Sequence, residues 1–204
     1  IRACVRETEK STSGEIVPMV VSSSYHYPAA SLLGALIVSL LVAVGLTLAE
    51  SIRRSWGGLS LFDLWLFPAS FGVSLPVLHE LIKAVPAIKR LFITAAEIDE
   101  EVQEAALTAF YRQGLSETRD RTGILIYISV FERRAYVLAD KGINEKVKPE
   151  TWREVVELVT RGFREKHPAD AVCRAIRRCG ELLREHFPIK PDDTDELRNL
   201  IVEG

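Results

Sequence analysis

Apolar and polar positions are segregated along this chain to an unusual degree. From Ile16 to Ala49 there is no Asp, Glu, Lys or Arg, whereas charged residues recur every few positions from Ala95 onward. Within the uncharged stretch, residues 29–49 are Ala, Leu, Val, Ile, Gly, Ser and one Thr, apolar on every face of a helix. A helix of 20 residues rises roughly 30 Å, the thickness of a bilayer core, and a small soluble domain has no use for a helix without a polar face. The pattern predicts a membrane span. Tyr25 and Tyr27 precede it, residue types suited to the lipid–water boundary.

A second apolar element covers residues 59–82, after a polar, glycine-containing turn with Arg53 and Arg54. It is interrupted by Asp63, Pro68, Pro76, His79 and Glu80, and its uncharged middle, Leu64 to Leu78, is short for a span. The economical reading is a hairpin partner for the first span, returning the chain to the side it left. An in-plane or re-entrant segment is the alternative. Ionisable groups in membrane segments are costly and mark function by default, so Asp63 and His79 are candidate polar positions of the hairpin. His26 and His79 both lie near a boundary, where snorkelling to water is the simpler account.

The flanking sequence has the periodicities of a soluble domain. Ile1, Cys4 and Val5 form a helical stripe, Ser11-Thr12-Ser13-Gly14 breaks it, and Glu15 to Val21 reads as a strand. Pro18 cannot donate to a ladder, which places this strand at an edge or with that side of Pro18 unpaired. Ile98, Val102, Ala105, Ala106, Ala109 and Phe110 predict a helix over 95–113. Ile124 to Val130 is apolar at nearly every position, as in a strand buried on both faces. A tight turn at Phe131-Glu132-Arg133-Arg134 returns as the strand Ala135 to Ala139, closed by Asp140-Lys141-Gly142-Ile143. Two amphipathic helices follow, one after Pro149 to about Glu165 and one over about 169–186. Residues 188–204 are an acidic tail expected to be loosely held, with a last turn around Leu197, Leu200 and Ile201.

Charge narrows the function classes. With 26 basic and 28 acidic residues, net −2, the chain lacks the basic face that displaces counterions from phosphate, which argues against nucleic-acid binding. Cys4, Cys173 and Cys179 are odd in number and have no metal-type spacing. They are expected to be small buried thiols rather than a disulfide or a zinc site.

Three stretches bear a family likeness: Thr12-Ser13-Gly14-Glu15-Ile16-Val17, Asp120 to Tyr127, and Glu132-Arg133-Arg134-Ala135-Tyr136-Val137-Leu138-Ala139-Asp140-Lys141-Gly142-Ile143. In their order and in the helices between them the chain resembles the TPM domain family, in a bacterial membrane-anchored branch whose hairpin is inserted after the first strand. The resemblance implies a three-layer α/β/α sandwich carrying a transmembrane helical hairpin. Its parts would be residues 1–23 as first helix and strand, 24–90 as the inserted hairpin, 91–187 as the rest of the domain and 188–204 as the tail. In some family members it further implies calcium binding or acid phosphatase activity.

Candidate chemistry follows the strand ends. A hard cation needs several converging oxygens, which Asp140, the carbonyls around Gly142, Glu15 and Asp120 would supply if those ends are neighbours. Arg133 and Arg134 are candidates for contacting a phosphate or a partner. No Cys-x5-Arg loop or phosphoryl-acceptor histidine motif is present, and no Asp-x-Asp pair stands at a predicted strand end. The sequence thus reads as a membrane-anchored module that binds a membrane-protein partner or maintains a membrane complex. A calcium-dependent acid phosphatase-like hydrolase is the alternative. Positive charge at Lys10, Lys83, Lys89 and Arg90 leans the soluble domain toward the cytoplasmic face of a bacterial inner membrane.

Overall fold

The computed structural model describes residues 1–53, 61–189, 197 and 199–203, without the side chains of residues 61–63 and 149. The chain divides into two compact units, Ile1–Tyr25 with Ile98–Gly204, and His26–Glu97.

The first unit is built on a four-stranded sheet of order β3-β2-β1-β4. Its strands are β1 (Glu15–Val21), β2 (Gly123–Ser129), β3 (Arg134–Ala139) and β4 (Ile201–Glu203). β1 pairs parallel with β2, from Glu15↔Gly123 to Val21↔Ser129, and β2 pairs antiparallel with β3. Every residue of β2 is buried, as the unbroken apolar run requires of a central strand. The even-numbered side chains Ile16, Ile124, Ile126 and Ile128 share one core with Val5, Val155, Val159, Val172, Ile176 and Leu183. That face is covered by α1 (Arg2–Glu9), α7 (Pro149–Arg164) and α8 (Pro168–His186). The opposite face meets the long helix over Ala95–Arg112, whose Ala105 and Ala109 line one cleft with Met19 and Tyr127. The result is the three-layer α/β/α arrangement.

Two expectations are corrected in this unit. The tail is not a loose turn: β4 pairs parallel with β1 along Met19, Val20 and Val21, so of the two placements open to β1 it takes the one with the Pro18 side unpaired. The constraint from Pro18 still holds locally. The Ile16 N–H points away from β2 and donates to Glu9 Oε1 at 3.1 Å. Residue 18, two positions on, aims the same way and lies just before the β4 pairing begins. The missing donor therefore falls where no strand needs it.

The cysteine expectation is also overturned. Cys4 of α1 and Cys173 of α8 form a disulfide with Cα atoms 5.7 Å apart, joining positions 169 residues distant in sequence. The two helices approach closely because Gly180 has no side chain: a Cβ there would fall 1.9 Å from Thr8 Cγ2. Spacing arithmetic along the chain misses such a pair because only the fold brings α1 onto α8. Cys179 is the free thiol, fully buried, and burial pushes its pKa up to about 12.

The second unit contains α2 (Pro28–Arg53) and α3 (Leu61–Ala84), followed by α4 (Pro86–Lys89) and a short turn. With the helix already met, Ala95–Arg112, as α5, and α6 (Lys141–Asn144) in the first unit, these complete the described elements. Among the described residues two helices are long and apolar enough to cross a membrane, Pro28–Arg53 and Leu64–Ala84. α3 stays helical through Pro68 and Pro76. The buried positions of α2 are Ala30, Ser31, Gly34, Ala35, Ser39 and Ala43, all small. Recurrence at three and four residues puts them on one side of the helix, the pattern that lets helix backbones approach in lipid. The large residues, Leu32, Leu36, Leu40, Leu41 and Leu48 among them, point outward. The loop carrying Arg54 lies outside the described residues.

Candidate functional site

The candidate cation ligands lie at one end of the sheet. The register puts Glu15 opposite Gly123, and the Asp140 N–H donates to the Gly123 carbonyl at 2.9 Å. Glu15 at the start of β1 and Asp140 just past the end of β3 thus flank Gly123 from its two sides, and both are buried. Asp140 Oδ1 accepts the Lys141 N–H at 2.7 Å and starts α6, while Oδ2 is buried without a hydrogen-bond partner. Gly142 sits against the carbonyl oxygens of Arg121 and Asp120, at 2.7 and 3.1 Å from where its Cβ would be. Any other residue would collide with that loop. Asp120 is half-buried on the same loop. Among the described residues no three His, Cys, Asp or Glu side chains gather at metal-holding distance, so the end offers a buried carboxylate oxygen and backbone carbonyls.

The two arginines of the hairpin turn do not act together. Arg134 Nε donates to Asp99 Oδ1 at 2.5 Å, tying the turn to α5. Arg133 is exposed, with a left-handed φ of 53° at the tip. In the helical hairpin, His79 is half-buried on α3, and its Nδ1 is buried without a hydrogen-bond partner. Asp63 lies in the first turn of α3, and its side chain falls outside the described residues.

The opposite end, at the carboxyl ends of the parallel strands, is more elaborate than the sequence reading foresaw. Glu132 is completely buried in the β2–β3 turn. Its Oε1 accepts Ser23 Oγ at 3.1 Å and the Ser24 N–H at 2.9 Å, and its Oε2 accepts Ser129 Oγ. One carboxylate thereby fastens the chain leaving β1 to the chain leaving β2. Ser24 Oγ also reaches the Tyr127 hydroxyl at 3.3 Å. Burial raises the Tyr127 pKa above that of an ordinary phenol, with the Ser24 hydrogen bond acting the other way. The phenol stays neutral and polar at physiological pH.

Beside this cluster lies a cleft of about 380 Å³ with a floor of Met19, Val21 and Tyr127. Glu101, Glu104, Thr108 and Arg112 of α5 form one wall and Glu203 of β4 another, with Ser22 to Tyr25 at the mouth. Arg112 Nη2 donates to both Glu203 oxygens, at 2.6 and 2.9 Å, closing the wall. The available signal was topological: open parallel sheets place ligands beyond the carboxyl ends of their strands. The tail's strand and its pairing with Arg112 leave no comparable trace in the sequence.

Residues 87–182 match the family model of the TPM domain. The chain carries a TPM domain. The match starts beyond the helical hairpin, and α1 and β1, which complete the TPM domain's sheet and core, lie on the other side of that insertion. Among solved structures, the NMR structure of the BA42 protein from the psychrophilic bacterium Bizionia argentinensis is similar in fold, with a TM-score of 0.57 and 19% identity, covering 100% of this chain and 89% of that one. No curated protein matches the chain significantly.

Proposed function

We propose that this protein is a membrane-anchored binding module, whose TPM domain holds a protein partner at the cleft between α5 and β4 and maintains a membrane complex. The cleft carries the reading. It combines an apolar floor, backbone-edge polarity at Ser22 to Ser24 and charged walls, the composition of a recognition surface. Its buried polar groups are engaged structurally: Glu132 holds three donors and Tyr127 bonds Ser24. Such groups shape a site rather than turn over a substrate.

We further infer that the TPM domain stands on the oxidising side of a bacterial cytoplasmic membrane, contrary to the lean from charge. Disulfides persist in oxidising compartments, and Cys4–Cys173 joins the two ends of the domain. The charge argument is weakened on both flanks. Lys83 pairs with Glu80 at 3.7 Å, Lys89 donates to the His26 carbonyl, and Arg53 pairs with Glu50 at 2.8 Å. That orientation turns the loop between the spans, whose sequence includes Arg53 and Arg54, toward the cytoplasm, in keeping with the excess of basic residues in cytoplasmic loops.

Photo-crosslinkers placed at Thr108 and Ser22 of the full chain in cells test the binding reading, with Glu185 as a surface control. Partner adducts specific to the cleft positions are expected; equal yields at the control position overturn it. For the orientation, alkaline phosphatase fused after Gly204 should be active and a green fluorescent protein fusion dark, and the reverse result excludes it.

The buried Asp140 Oδ2 supports a second reading, in which this end of the sheet binds a hard divalent cation and the protein is a calcium-dependent acid phosphatase-like hydrolase. Calcium should then raise the melting temperature of wild type and not of Asp140→Asn, and phosphomonoester turnover should be lost in Asp140→Ala. No thermal response and no turnover leave the binding module as the function.

A further inference from the structure

The tail strand β4 is small for the place it fills. It pairs with β1 over only three residues, Met19↔Ile201, Val20↔Val202 and Val21↔Glu203. Ile201 is its one buried side chain, while Val202 is 69% exposed. The Glu203 carboxylate is gripped by Arg112, a pair half open to water on both sides. One backbone bond extends the ladder, from the Ser22 N–H to the Glu203 carbonyl at 3.1 Å. The same cleft is also lined by Ser23 to Tyr25 and by Glu101 and Glu104. Of β4 only Glu203 lines that cleft, so most of its lining comes from β1, the chain after it and α5.

We propose that the β1 edge from Met19 to Ser22 is a strand-addition site for an extended segment of the partner protein, and that β4 is the chain's own stand-in, holding the site closed until the partner displaces it. This rests on the cleft being the partner site and specifies what binds there. Main-chain pairing along an exposed edge supplies affinity, and alternate side chains supply specificity. The resident strand displays the chemistry required. A β-branched apolar residue fills the Ile201 position, the next side chain faces outward, and an acidic residue two positions after the first meets Arg112. A ligand running parallel to β1 then continues past Ser22 toward Glu104 and Glu101, where basic residues suit the acidic wall. The partner segment is an extended peptide of pattern β-branched, any, acidic, then basic.

The upstream half of the same edge is closed to such a ligand. Ile16 N–H is taken by Glu9, Pro18 has no N–H, and Glu9 Oε2 also accepts Asn199 Nδ2 at 3.1 Å. Only the segment opposite β4 can change partners.

The test uses the full chain in lipid nanodiscs and a fluorescent peptide of sequence Asn-Leu-Ile-Val-Glu-Lys-Lys, followed by anisotropy. Ile201→Asp, which removes the one buried anchor of β4, should bind the peptide at least tenfold more tightly than wild type. Arg112→Ala added to it should reverse most of that gain. Equal affinity of wild type and Ile201→Asp, or binding indifferent to Arg112, overturns the proposal. Hydrogen exchange on wild type gives an answer independent of any variant. The Val20 and Ser22 amides, facing β4, should exchange at least a hundredfold faster than those of Met19 and Val21, facing β2; equal protection overturns it. Peptide binding without cleft-specific crosslinks in cells would retain the strand site and reject the partner reading, whereas crosslinks without peptide binding would do the opposite.

Discussion

The TPM domain and the helical hairpin use apolar residues in opposite ways. In β2 all seven residues are buried, and the large aliphatic side chains of the domain face one another across the sheet and α7 and α8. In α2 the buried positions are Ala, Ser and Gly, while the leucines face out. Water drives the first arrangement, because exposing isoleucine there is costly. For a helix able by length and composition to cross a membrane, a lipid surround would remove that drive and leave close packing of small residues as the source of association. The two units therefore differ in which residues they bury: large aliphatic ones in the first, small ones in the second.

The largest expected effect comes from deleting bulk where the domain relies on it. Ile126→Ala, at a fully buried site, should destabilise the TPM domain by about 2–5 kcal/mol. Urea unfolding in detergent, followed by near-ultraviolet circular dichroism, would measure it; a change under 1 kcal/mol would mean the core is looser than described. Leu41→Ala on α2 deletes as much bulk from a residue 66% exposed, and should leave unfolding within about 0.5 kcal/mol of wild type. Equal losses at the two sites would erase the contrast between the units.

Cutting the covalent link tests the domain alone. Replacing Cys4 and Cys173 together by Ser should cost about 2–5 kcal/mol, and reducing agent should bring wild type down to the same stability. The hairpin should be more sensitive to added bulk than to lost bulk. Ala35, fully buried on α2, when changed to Leu should cost about 1–3 kcal/mol by overpacking. Helix–helix association in bicelles would report it, and an unchanged association would show that the small-residue side is not the contact.

The smallest effect is confined to alkaline pH. Burial raises the Cys179 thiol from 9.0 to about 12 in the folded chain. The folded state therefore favours the protonated form, so its stability contribution is whole below the unfolded value near 9 and declines as pH rises toward 12. Cys179→Ala should flatten that decline while leaving the neutral-pH unfolding profile cooperative. An identical alkaline slope in the variant would assign the decline to other groups.

Patterns short in sequence were the legible ones. The apolar run of 29–49, the continuous run of β2, the charged turn before β3 and the stripes of α5, α7 and α8 each follow from solvent and local periodicity, so they survive in one dimension. The likeness of three stretches to the TPM domain carried the fold class. The site was only partly legible. Glu15 and Asp140 were placed at strand ends by their turns, but whether they faced a common glycine depended on register. Arg134 looked like a ligand contact and is bound to Asp99, 35 residues away.

What the sequence determined by itself is which segments are amphipathic, which are apolar on every face and which are helix or strand, because those follow from neighbours a few residues apart. Only the tertiary structure decided that Cys4 meets Cys173, that the tail returns as β4 beside β1, and that Arg112 and Glu203 wall a cleft. Each of those joins groups about 90 or more residues apart. Their meeting depends on how the two ends of a domain interrupted by a helical hairpin close onto one sheet, and no local pattern encodes that.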